Sequence, residues 1–140
     1  MTWLRVDTVY KKFPLNLRRP DYQDVWSYRK KFPVLYYVTQ SLEKVTPNGQ
    51  PEYHYNETLT AFDAAMCQLL PDPETGIIFL VATFGGLRHY YYYVSDAAAM
   101  EPLIAEIKTQ FPGNAVAITT KPDKKWAFLR NYPVKLYPSG

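Results

Sequence analysis

The chain has a single cysteine, Cys67, and two histidines, His54 and His89, among 140 residues. One cysteine cannot close an internal disulfide, which removes the stapled secreted class. Two distant histidines, with no Cys-x-x-Cys or His-x-x-x-His spacing, give no metal-ligand cluster. Long hydrophobic runs are also missing. The longest, Ile77 to Ala82, falls far short of the roughly 20 residues a membrane helix needs. Met1-Thr2-Trp3-Leu4-Arg5-Val6-Asp7 carries an arginine and an acid where a signal peptide would be apolar, so a soluble cytoplasmic protein with no membrane partner is expected. Gly85-Gly86 is too short for a phosphate loop, and no Gly-x-Ser-x-Gly signal occurs. No pair of acids is spaced for acid–base work, so no enzyme, cofactor or metal is expected.

What is present is an ordinary globular composition, 47% hydrophobic and 21% charged, with a net charge of +3. Its excesses are thirteen tyrosines and twelve prolines. The length suits one domain over residues 1–140. Residues 1–33 read as an edge strand (Trp3 to Tyr10) and an irregular arm. The arm is punctuated by Pro14, Pro20 and Pro33 and carries Lys11-Lys12, Arg18-Arg19 and Arg29-Lys30-Lys31. Asp21 and Asp24 blunt the field of these cations, which read as a solvated surface or as contacts for phosphate or an acidic protein.

Residues 34–120 carry the clearer pattern. Val34 to Val45 reads as a strand ending at Thr46-Pro47-Asn48-Gly49. Asn56 reads as the cap of a helix with Leu59, Phe62, Met66 and Leu69 on one stripe. Ile77 to Phe84 and Leu87 to Val94 form a hairpin about Gly85-Gly86. A second helix, capped by Ser95 or Asp96, buries Leu103, Ile104 and Ile107, with Pro102 in its first turn. Asn114 to Thr120 is the last strand. Residues 121–140 form a short closing helix, with Trp126 and Leu129, and a tail. The order predicts an α+β, ferredoxin-like β-α-β-β-α-β split sandwich: an antiparallel sheet with both helices on one face, plus the N-terminal arm and the C-terminal helix.

Pairing across Gly85-Gly86 with strict alternation puts Ile78, Leu80, Ala82, His89, Tyr91 and Tyr93 on one face. Phe79, Val81, Thr83, Arg88, Tyr90 and Tyr92 fall on the other. The first set is richer in aliphatics and is assigned to the helices, as are Val34, Tyr36, Val38 and Leu42. That leaves Tyr37, Phe79, Arg88, Tyr90 and Tyr92 as a candidate binding surface on an open face. Such a surface suits a protein-contact hot spot. Its aromatics also mirror sheets that stack single-stranded RNA. A third reading stays beside these: tyrosine simply favours strands, and Trp3 with the Pro-rich arm closes the face as a second core. His89 reads as a core histidine and Cys67 as a small buried hydrophobe. Glu57, Asp63 and His89 are the first positions to inspect for any titratable chemistry.

Several strings, spread over nearly the whole chain, resemble the bacterial domain of unknown function 695 family. They are Trp3, Lys31-Phe32-Pro33-Val34-Leu35, Asn48-Gly49-Gln50-Pro51, the hairpin from Gly85 to Val94, and Pro122-Asp123-Lys124-Lys125-Trp126 with Tyr132 and Tyr137-Pro138. The resemblance itself implies no activity. A more distant architectural similarity, to the regulator of ribonuclease E activity B group, implies an inhibitor that works by protein contact. The expectation is a non-enzymatic protein-binding module, such as a bacterial immunity or inhibitor protein occluding a toxin encoded nearby, with RNA binding as the alternative.

Overall fold

Gly85 and Gly86 take φ of +61° and +81°. This left-handed pair turns the strand Gly76–Phe84 (β4) tightly into Leu87–Val94 (β5). Around that hairpin, in a computed structural model describing residues 2–138, lies a six-stranded antiparallel sheet. The other strands are Trp3–Tyr10 (β1), Phe13–Pro20 (β2), Val34–Ser41 (β3) and Val116–Pro122 (β6). The spatial order is β1-β2-β4-β5-β3-β6. Four helices complete an α+β fold: Tyr53–Thr58 (α1), Thr60–Cys67 (α2), Glu101–Gln110 (α3) and Ala127–Arg130 (α4). No described helix is long and apolar enough to cross a membrane.

The predicted apolar stripe is real: Leu59, Phe62 and Met66 are buried. The helix begins at Tyr53 rather than at Asn56 and breaks at Leu59. Asp96 accepts from the Ala98 amide ahead of α3, and Pro102 sits in the first turn of α3. Phe62 and Met66 of α2 share one buried cluster with Ile104 and Ile107 of α3, so both helices cover the same face of the sheet.

The arm departs from expectation. It holds a full strand, β2, between β1 and β4, where an irregular segment was expected. The Asp21 amide donates to the Thr2 carbonyl, so by alternation Pro14 and Pro20 turn their nitrogens away from β1 and toward β4. A missing N–H there costs nothing in the β1–β2 ladder and limits β2–β4 pairing to residues 16–18 against 81–83. Side chains take over where the ladder stops. Gln50 donates to the carbonyls of Pro14 and Thr83. Tyr22 donates to that of Ile78, and Tyr137 to that of Phe79.

The second departure concerns the sheet faces. The hairpin keeps its expected register from Phe84↔Leu87 to Leu80↔Tyr91, then passes over Phe79 to Ile78↔Tyr92. This β-bulge places Phe79 and Leu80 on the same face. The face expected to be open is the one under the helices: Val81, Tyr90 and Tyr92 pack with Tyr36, Val38, Phe62 and Met66. The assignment of Tyr36 and Val38 to the helices stands. The aliphatic count misled because β4 is buried on both sides from Gly76 to Thr83, and a doubly covered strand carries no alternation signal.

The opposite face is sealed too. Val25, Phe32, Trp126, Leu129, Leu136 and Tyr137 close over Leu35, Phe79, Tyr91 and Tyr93. Trp126 stacks on Tyr93 at 4.2 Å between ring centroids, and Tyr93 stacks on Phe79 at 4.6 Å. The Trp126 indole N–H donates to the Phe32 carbonyl, tying tail to arm. The cover is therefore the arm plus the C-terminal tail. Trp3, expected to join it, packs on the helix side.

Candidate functional site

Of the five predicted surface residues, Phe79, Tyr90 and Tyr92 are completely buried, and Arg88 is 7% exposed. Tyr37 is half-buried against His89 and Tyr91. The open aromatic platform does not exist. The surface proposed for protein contact and for base stacking is core, because helices cover one face and the chain's own ends cover the other.

The buried tyrosines have specific partners instead. The Tyr92 hydroxyl donates to the Met66 carbonyl, and the Tyr90 hydroxyl donates to Asp63 Oδ1 at 2.8 Å. That second bond leads into a polar cluster between the β1–β2 hairpin, the α1–α2 break and the tip of β5. Arg18 grips Asp63 with two parallel bonds, Nη2 to Oδ1 at 2.6 Å and Nη1 to Oδ2 at 2.9 Å. Arg88 donates from Nε to Thr83 Oγ1 at 2.8 Å and from Nη2 to Asn56 Oδ1 at 3.1 Å. Its Nη1 lies 3.9 Å from Asp63 Oδ1.

These side chains line a cleft of ≈ 510 Å³ with Arg5, Asp7, Asn16, Gln50 and Leu59. Three arginines face two aspartates, 3 − 2 = +1, at a partly buried site. Burial pushes the Asp63 carboxyl up, but the bonds and charge of Arg18, with Tyr90 and Arg88 behind them, hold it below its ordinary value. Asp63 is therefore a fixed anion that positions two guanidiniums. Burial pushes the neighbouring Cys67 thiol up to about 11. A group of three or more side chains able to hold a metal is absent among the described residues.

Of the positions singled out for titratable chemistry, only Asp63 reaches the cleft. His89 lies on the other face, with Nδ1 2.9 Å from Thr39 Oγ1, and burial lowers its pKa. Glu57 is exposed on α1. Arg18 and Asn56 complete the site and were missed as site residues. Arg18 read as half of a basic surface pair and Asn56 as a helix cap. Pairing Arg18 with Asp63, 45 residues away, depends on β2 being a strand. A larger groove of ≈ 780 Å³ in the tail cover is lined by Trp26, Arg29, Arg130, Tyr132 and Lys135. Among the described residues, its cations are not locked in place by hydrogen bonds as those of the cleft are.

The model of a family described as "Family of unknown function (DUF695)" matches residues 5–133. The match spans most of the chain, and the chain belongs to that family. Comparison with curated proteins and with solved structures found no match.

Proposed function

We propose that this member of the DUF695 family is a non-enzymatic binding module that holds an acidic segment of a protein partner in the arginine cleft. It would act by covering that partner, as an inhibitor or an immunity protein against a neighbouring toxin does. The observation that carries the reading is Arg88: a buried guanidinium, fixed by Thr83 and Asn56, on the wall of a cleft with a net positive charge. A pre-positioned guanidinium loses little entropy on meeting a carboxylate. Asp63, held ionised by three neighbours, is a poor general acid or base, because such a group works best with a pKa near the operating pH.

The scaffold from β3 to β6 is read as a ferredoxin-like split sandwich widened by the β1–β2 hairpin. The spatial order β4-β5-β3-β6, with α1–α2 and α3 as crossovers on one face, supports this. A bacterial cytoplasm is the setting the reading assumes, and the single cysteine suits a reducing compartment.

The test is calorimetric titration against the protein encoded by an adjacent gene, with NMR titration by hexaglutamate and hexalysine peptides as a defined probe. Hexaglutamate should move the amides of Asn56, Asp63 and Arg88 and lose its effect as salt rises; hexalysine should not. Asn56→Asp places an internal carboxylate against Arg88 and should weaken binding about tenfold, the scale of one charge-assisted hydrogen bond. Equal responses to both peptides, or none at the cleft, would sink the reading.

A further inference from the structure

One edge of the sheet is left unguarded. β6 closes the far edge and ends in Lys121-Pro122, residues that discourage strand addition. β1 forms the near edge with eight residues, no proline and no lysine, and it pairs only with β2 among the described residues. Leu4, Val6 and Val9 on it are exposed. The Asp21-to-Thr2 bond fixes which backbone groups are free: residues 4, 6 and 8 face β2, so the N–H and C=O of Trp3, Arg5, Asp7 and Val9 point out of the sheet.

We infer that this edge pairs with β1 of a second copy of the chain, antiparallel and centred on Val6. A two-fold antiparallel pair must oppose outward residues to outward residues, which leaves three central registers. Centring on Arg5 sets Arg5 against Arg5. Centring on Asp7 sets Asp7 against Asp7. Centring on Val6 sets each Arg5 against Asp7 of the second copy, and each Trp3 against Val9. Only that register sets opposite charges across the seam, extending the 3.1 Å bond that Arg5 already makes to Asp7 of its own strand, and like charges directly opposite one another are destabilising. It also lays Leu4 and Val6 beside Val6 and Thr8 of the second copy on the other face, covering exposed apolar side chains. Four hydrogen-bonded residue pairs give about eight new backbone bonds. The two-fold axis stands perpendicular to the sheet, so the two arginine clefts open on the same side of a continuous sheet. Arg5 and Asp7 also line the clefts, but the pairing needs no cleft ligand, so it is read independently of what the clefts bind.

The full chain should elute with twice its 16.3 kDa mass in light-scattering measurements at micromolar concentration. Arg5→Asp should raise the dissociation constant at least tenfold, and Arg5→Asp with Asp7→Arg should restore it. In a Cys67→Ser background, Val6→Cys should oxidise to a covalent dimer across the axis, while Leu4→Cys should not. A chain that stays monomeric to about millimolar concentration overturns the inference. So does a dimer insensitive to Arg5→Asp that fails to cross-link through Val6→Cys, because it would use another surface.

Discussion

Lys11 and Lys12 join β1 to β2 with φ of +49° and +73°, the two-residue turn that asparagine and glycine favour. A side chain in the left-handed region costs about 1–2 kcal/mol. Lys12→Gly should therefore raise stability by roughly 1 kcal/mol, read as a higher denaturant midpoint at unchanged slope. In the sequence these residues read only as a basic cluster, because lysine is not a turn signal.

The titratable groups predict a two-stage response to acid. His89 has its pKa lowered by burial from an ordinary 6.5, so the folded state prefers the neutral ring. Its contribution is full above pH 6.5 and fades as the pH falls through the lowered value. Asp63 has its pKa lowered from an ordinary 3.8, so its contribution is full above that pH and is lost below it. Denaturation measured against pH should show an upper loss that His89→Gln removes. A lower loss should be flattened in Asp63→Asn, which already lacks that stability at neutral pH.

At the scale of elements, α4 is four residues long and holds its place through its neighbours. Asp123 accepts from the Ala127 and Phe128 amides and from the Tyr93 hydroxyl, while Trp126 fills the space between Tyr93 and the arm. Trp126→Ala should cost about 3–5 kcal/mol, measurable by thermal or chemical denaturation. A loss below about 1 kcal/mol would mean the tail cover contributes little. The closing helix, Trp126 and Leu129 were legible in the sequence, as were the Gly85-Gly86 turn and the stripe on α2, because each rests on local periodicity or turn chemistry. β2 was not, because its prolines announce a break unless the side of the ladder they face is known. Nor was the Phe79 bulge, which leaves no mark in an unbroken apolar run.

At the scale of the molecule, the sheet is one wall shared by two cores. Tyr90 and Tyr92 serve one, and Tyr91 and Tyr93 serve the other. The four-tyrosine run suits a binding platform only where one side of the sheet stays open; both sides are covered, in line with the reading that has the arm close a second core. Its meaning is architectural: large amphipathic rings fill both cores while their hydroxyls find Asp63, Met66 and Asp123. The cleft was illegible for a related reason. Arg18, Asn56, Asp63 and Arg88 come from β2, α1, α2 and β5, with Arg5 and Asp7 added by β1, and no spacing in the sequence brings these elements together.

Because the lid on Phe79, Tyr91 and Tyr93 includes Trp126, Leu136 and Tyr137, it is made after all six strands of the sheet. Translation at about 5–20 residues per second leaves the rings beneath it wet for seconds while the stretch from Val94 to Tyr137 is made. During that interval a nascent chain with its helices already docked still shows a sticky aromatic flank, a natural foothold for chaperones.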